Sequence, residues 1–359
     1  MKGVCRGLAG VVMLSLMAMW GCGSSKQDQP LVLEEVALEG AVVSVGPEKL
    51  SDWGLFVGDL KDVSPAPNVR PYEISTPLFT DYAYKERFVR VPDGQSVSYH
   101  ASEVLKFPEG SVLVKNFFYP ADFAEPEQDI RMLETRLLIN EGEEWKALTY
   151  VWNEDQTEAF LEVAGQSIPV SWTDNKGILQ NINYAVPNLN QCKSCHEYKG
   201  RFTPIGPTAR QLNRQTKTGV SQLAQWTENG FLHGMPADGI PSLPIWEDAS
   251  SGTLDQRARA WLEVNCAHCH REEGPAKNTG LYLLTSQSED YRLGIMKPPV
   301  AAGRGSANLK FGIVPGQPES SILLHRIQSL DPGVMMPELG RQLVHEEGVV
   351  LVTEWIRQM

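Results

Sequence analysis

Cys266-Ala267-His268-Cys269-His270 is a C-x-x-C-H pentapeptide, and Cys192-Lys193-Ser194-Cys195-His196 repeats the pattern upstream. Two residues between the cysteines let one helical turn present both sulfurs along one edge, and the histidine follows at once. This is the attachment signature of a c-type haem. Both thiols add across porphyrin vinyl groups, and the adjacent imidazole takes one axial position on the iron. Scattered at random, the 6 cysteines and 7 histidines would give roughly 0.002 such pentapeptides, so two point strongly to haem. The competing readings are a four-cysteine zinc site and thiol redox chemistry. Neither explains a histidine directly after both pairs.

Working outward, the chain carries 359 residues and a net charge of −12. Lys2 and Arg6 are the only charges in residues 1–21, so loss of that segment takes the net charge to −14. An acidic chain disfavours nucleic acid and anionic lipid, and suits a basic redox partner protein. Residues 1–21 read as a signal peptide: a charged start, then an apolar run too short to span a bilayer. The run ends at Gly21-Cys22-Gly23-Ser24-Ser25. This resembles a bacterial lipobox, with Cys22 as the acylated residue and membrane anchor. Met19 and Trp20 depart from its usual residues, and a cleaved soluble periplasmic form is the alternative. The expected location is the periplasm, as an outer-membrane lipoprotein of a Gram-negative bacterium. Cys5 lies in the signal, Cys22 at the lipid site and the other four in the two motifs, leaving none for a disulfide.

Residues 22–50 read as a lipid-anchored tether and lead-in. Residues 51–186 read as β, with short apolar runs at 88–91, 97–100, 112–119, 132–139, 145–152, 159–163 and 168–172. Turn chemistry such as Pro92-Asp93-Gly94 and Asn140-Glu141-Gly142 separates them. Even spacing of so many strands predicts an antiparallel sandwich. His100 is read as a half-buried strand residue, and Asp81, Glu134 and Arg136 as candidates to shape a pocket, set against the commoner reading of strand charges as solvated or structural. Residues 187–250 form a first haem-binding segment, with no clear helix ahead of Cys192. Residues 251–359 carry an apolar helical pattern over 254–265 running into Cys266, and a last helix over 346–357. The expected fold class is thus α+β multidomain: an N-terminal all-β antiparallel sandwich followed by an all-α cytochrome c-like dihaem region.

Residues 251–359 resemble a class I cytochrome c. In that family a helix leads into C-x-x-C-H, a long loop supplies a methionine, and a C-terminal helix crosses the first. The resemblance implies His270 as proximal ligand and Met336, in Met336-Pro337, as distal ligand. Met335, His325 and His345 are rivals for that position. Gly234-Met235-Pro236 echoes Met336-Pro337, so Met235 is the candidate sixth ligand for the haem at His196. His233 and an open position are its alternatives. Residues 51–359 are also similar to the uncharacterised dihaem c-type cytochromes of proteobacteria, commonly lipoproteins. The matching stretches include Thr76-Pro77-Leu78-Phe79, Asp81-Tyr82-Ala83, Glu134-Thr135-Arg136-Leu137-Leu138 and Met335-Met336-Pro337-Glu338-Leu339-Gly340. Genes of that family tend to neighbour one for a parallel β-helix repeat protein, a possible partner.

Three functions follow as expectations. The first is electron transfer through two covalently attached haem c groups, held by Cys192, Cys195, Cys266 and Cys269 and ligated by His196 and His270. The second is a dihaem redox enzyme with an open first haem, acting on peroxide or a small donor. The third is a β-domain binding module carrying a cytochrome.

Overall fold

A computed structural model describes residues 46–216, 219–300 and 302–359. The signal segment, Cys22 and most of the tether lie outside the described residues. Among those described, no helix is long and apolar enough to cross a membrane.

The β-run resolves into β1 (Val69–Pro71), β2 (Tyr84–Arg90), β3 (Val97–Ser98), β4 (Val112–Pro120), β5 (Ile130–Asn140), β6 (Trp145–Trp152), β7 (Ala159–Glu162), β8 (Gln166–Thr173) and β9 (Leu179–Val186). Six of them form one antiparallel sheet in the order β1-β2-β4-β5-β6-β7. Alternation assigns its faces. Phe88, Val112, Val114, Phe118, Leu137, Leu148 and Tyr150 form one face, and Leu50, Leu55, Val63 and Ala66 from the chain ahead of β1 pack onto it. On the opposite face Val89 and Leu113 join one cluster and Phe117 and Tyr119 another. The register shifts between Phe117 and Phe118, where β5 fits in Leu133 beside Glu134. Such a bulge twists the sheet locally.

This corrects the predicted sandwich. There is one large sheet, and β8–β9 is a separate two-stranded hairpin. The hairpin covers only part of the second face, setting Val170, Trp172 and Tyr184 against Phe117 and Tyr119. Each such aromatic burial is worth about 1.5–3 kcal/mol. The part of that face around Val89 and Leu113 is covered by α2 and α3, described next.

The remainder of the chain is not an all-α region, which corrects the second half of the predicted fold class. Its helices are α1 (Leu189–His196), α2 (Ala209–Leu212), α3 (Gln222–Glu228), α4 (Leu254–Leu262), α5 (Asp290–Leu293), α6 (Ile322–Gln328) and α7 (Glu346–Arg357). Between them lie the small strand pair β10 (Glu197–Tyr198) with β11 (Arg201–Phe202), and β12 (Leu232–His233), which pairs in parallel with β3. Long irregular stretches account for the rest, because Pro and Gly recur too often for helices to extend. The described residues hold together as one compact unit.

Two helix starts are legible as capping boxes. Asn188 and Gln191 exchange side-chain and backbone bonds at α1, and Thr253 and Gln256 do so at α4. The expected helix over 254–265 ends at Leu262 and continues as a π-helical turn, Glu263–Ala267, that carries Cys266. α7 closes over α4 at Gly348. A Cβ there would sit 2.6 Å from three atoms of the Trp261 indole, a rigid ring with no easy retreat. Gly348→Ala is therefore expected to destabilise the protein by about 1–3 kcal/mol through overpacking, read from the midpoint of chemical denaturation. An unchanged midpoint would mean that the two helices are not held this closely.

Candidate functional site

Between the charged part of the second sheet face and the C-terminal segments lies a cavity of about 780 Å³. That is ample for a small molecule or cofactor. Cys192, Cys195 and His196 of the first motif line it, as do Ala267 and His268 of the second. Met335 and Met336 line it as well. Motifs separated by most of a hundred residues of chain thus share one chamber. They also touch: one ligand atom each from Cys195, His268 and Cys269 lie within 4.8 Å of one another. The Cys269 thiol donates to the Ser194 carbonyl at 3.5 Å. All four motif cysteines are free thiols. Burial pushes the Cys266 thiol up to about 12, and burial also raises Cys192. In the Cys195–Cys269 pair their mutual hydrogen bond lowers Cys195 and raises Cys269.

Hydrogen bonding fixes the tautomer of the motif histidines. His196 Nδ1 lies 2.9 Å from the Thr203 carbonyl. A carbonyl only accepts, so Nδ1 carries the proton and Nε2 keeps its lone pair. Its ring stacks on Phe202 with centroids 5.0 Å apart. Burial, the largest effect, lowers its pKa to about 4 and keeps it neutral. His270 Nδ1 lies 3.4 Å from Thr279 Oγ1, whose own proton goes to the Ala276 carbonyl. The same tautomer follows. Such an outer hydrogen bond fixes ring orientation in metal-bound histidines. His270 is half-buried but is not among the cavity-lining residues, whereas His268 is. The Nδ1 of His268 is buried without a hydrogen-bond partner.

The other candidates separate on the same grounds. Met336 is held at the cavity by its backbone. Its N–H donates to the Arg326 carbonyl at 3.0 Å, and its carbonyl accepts from Arg341 Nη2 at 3.0 Å. Met335 is buried beside it. Met235 lies elsewhere: it packs against the cluster of Leu223, Trp226 and Phe231, and its sulfur accepts weakly from Thr227 at 3.7 Å. Both ring nitrogens of His233 are engaged, by Ser96 at 3.0 Å and Ser98 at 2.8 Å. His345 lines the cavity, but its Nδ1 accepts from the Trp261 indole at 2.9 Å, so in the neutral ring its Nε2 carries the proton. Burial lowers its pKa to about 4. His100 Nδ1 accepts from the Glu103 amide at 2.9 Å.

The donor set fits covalent haem. Cys192, Cys195 and His196, with its free Nε2, line the cavity together with His268, Met335 and Met336, while Cys266, Cys269 and His270 belong to the second motif outside that lining and meet the first motif through Cys269. Compared with known proteins, the chain matches no family model, no curated protein and no solved structure.

Of the three strand charges weighed as pocket-shaping or structural, Asp81 and Arg136 line the cavity and Glu134 is bound to Arg136 beside it. Glu134 and Arg136 form a bidentate pair at 2.5 and 2.8 Å, and the Tyr184 hydroxyl donates to Glu134 at 2.6 Å. Asp81 is buried and accepts from the amides of Gln342 at 2.7 Å and Leu343 at 2.8 Å, through one oxygen. That oxygen ties the segment after Met336 to the loop before β2. Asp81→Ala is expected to cost about 3 kcal/mol, because two buried amides lose a charged acceptor. Asp81→Asn keeps a carbonyl in place and is expected to cost about 1 kcal/mol. Denaturation midpoints of the two variants check the ordering, and equal losses would remove this oxygen's role.

Proposed function

We propose that this chain is an exported dihaem c-type cytochrome that transfers electrons in the periplasm at a membrane surface. The supporting observation is the meeting of the two C-x-x-C-H motifs at Cys195, His268 and Cys269, on a cavity that Met336 also lines. Cys192 and Cys195 hold one haem c, and Cys266 and Cys269 the other. His196 and His270 present Nε2 to the irons, with Met336 as the sulfur ligand of the second. Bound haem supplies one-electron chemistry between ferric and ferrous iron. The chain's own residues orient both groups, exclude water and set their spacing. A methionine ligand raises the potential, because soft sulfur favours the ferrous state. Contact between Cys195 and Cys269 brings the two attachment edges together, which favours relay from one group to the other. Cys22 supplies the lipid anchor. A basic redox protein suits the acidic chain as its partner, and a parallel β-helix repeat protein is a candidate envelope partner.

A second reading, a redox enzyme with an open first haem, is favoured by one observation. Met235 sits in the Trp226 cluster and His233 is bound by two serines, so neither is held towards His196. An open position admits a small molecule to the iron.

Protein produced with a haem-attachment system is expected to carry two haems per chain, measured by pyridine haemochrome and intact mass. Replacing both Cys192 and Cys195 with Ala should leave one. Met336→Ala should convert one ferric haem from low to high spin, while Met235→Ala leaves the spectrum unchanged. A high-spin component already present in the unmutated protein supports the enzyme reading. Stoichiometric zinc without haem would overturn both readings and assign Cys195, His268 and Cys269 to a metal.

A further inference from the structure

On the cavity face of the sheet, the rungs can be followed across three strands. Val89, Leu113 and Leu138 form one rung. Lys85, Phe117 and Glu134 form another. Between them lies Arg87–Lys115–Arg136, three cations directly opposite one another. Like charges so placed repel, and the repulsion grows as water is excluded. All three line the cavity and are half-buried. Only Arg136 has a carboxylate, and Glu134 is already shared between it and Tyr184. Among the described residues, the side chains of Arg87 and Lys115 make no ion pair and no hydrogen bond, and the Lys115 ammonium has only the Phe117 ring at 4.6 Å. Asp81, the other acid acting on this face, is engaged by Gln342 and Leu343. Burial is the largest effect on Lys115, holding it well below the usual lysine range, with Arg87, Lys85 and Arg136 adding to it. The rung lies beside the first motif: Arg136 and Cys192 act electrostatically on each other, as do Lys115 and His196.

We infer that Arg87, Lys115 and Arg136 form a carboxylate-binding site on the cavity floor, beside the first attachment motif. Two planar guanidinium groups flanking an ammonium suit one or two carboxylates, since a guanidinium takes a carboxylate through two parallel bonds. The carboxylates have two sources: the propionates of the haem proposed for Cys192 and Cys195, or a small free dicarboxylate entering the cavity. Either supplies the charge that the folded rung lacks. The first source rests on the dihaem reading, and the second does not require it.

The test compares unmutated holoprotein with Lys115→Met, Arg87→Met and the exposed control Lys61→Met, after haem content is measured. Midpoint potentials are taken by spectroelectrochemistry, and succinate binding by titration calorimetry. If propionates occupy the rung, both cavity variants lower one midpoint potential relative to Lys61→Met, because a lost cation favours ferric iron, and succinate does not bind. If a free carboxylate occupies it, succinate binds the unmutated protein and about tenfold more weakly to either variant, as loss of a charged hydrogen bond predicts. Potentials that match the control, with no variant-sensitive succinate binding, overturn the site while leaving the dihaem reading intact. Haem-free protein would refute that reading, and succinate binding alone would then decide the site. Each cavity variant removes a repulsive charge, so the folded state should persist, and either variant is sufficient alone.

Discussion

A sheet buried on both faces must be covered twice, and here one face cannot be closed by apolar packing. The cations of Arg87, Lys115 and Arg136 interrupt the second face between two hydrophobic clusters. The covering elements therefore divide. The β8–β9 hairpin closes over Phe117 and Tyr119, while α2 and α3 close over Val89 and Leu113. Burying unpaired charge under either would cost several kcal/mol. The gap between them is the cavity, and the helix carrying the first motif lies along it. The chamber thus follows from one charged rung in an otherwise ordinary sheet.

The segment from Pro71 to Ala83 then fixes what faces that chamber. Gln211 brackets Thr76, accepting from its amide and donating to its carbonyl, each at 2.9 Å. The Thr76 hydroxyl donates to the Pro244 carbonyl at 2.6 Å. The Phe79 amide donates to Asn265, whose own amide group donates to the Trp261 carbonyl, just before Cys266. Asp81 holds the chain after Met336. One loop is therefore bonded to α2, to the approach of the second motif and to the methionine segment. A partly buried pair between Arg210 and Glu263, at 2.6 Å, adds a direct tie from α2 to the π-helical turn. Such satisfied polar networks fix relative position more than they add net stability.

Particular residues show what the sequence made legible. The strands from Val112 to Glu162 and the helix Glu346–Arg357 were readable, because their apolar periods are long and their turns carry Gly and Asn. The partner of each sheet face was not, since alternation says that a face is buried but not by what. That is why a second full sheet was expected where a hairpin and two short helices stand. The apolar pattern over 254–265 hid a change to π-helical winding after Leu262. The helix at Leu189 was missed although Asn188 and Gln191 spell its capping box. For the site, the cysteines were legible as a repeated pair pattern, and the structure brings the two patterns together at Cys195, His268 and Cys269. Met235 was chosen by its likeness to Met336-Pro337, a local echo that carries no information about facing. Arg87, Lys115 and Arg136 sit on three strands, so their adjacency exists only once the register is known.

Hydrogen bonding sorts the histidines more sharply than position in sequence does. At His233 and His345, serines or an indole N–H occupy the nitrogen that a metal would need, or fix the wrong tautomer. At His196 and His270, an oxygen takes the Nδ1 proton and Nε2 is left with its lone pair. The environment that performs this sorting lies outside the pentapeptides: Thr203 and Phe202 for one, Thr279 and Ala276 for the other. The two motifs are chemically equal as sequence, yet they are supported by different folds, a capped helix with a strand pair in one case and a π-helical turn under α7 in the other. Equal attachment chemistry on unequal supports is what gives two redox groups different potentials, and a difference in potential gives a relay its direction. The asymmetry of the fold is therefore as much a part of the proposed electron path as the cysteines are.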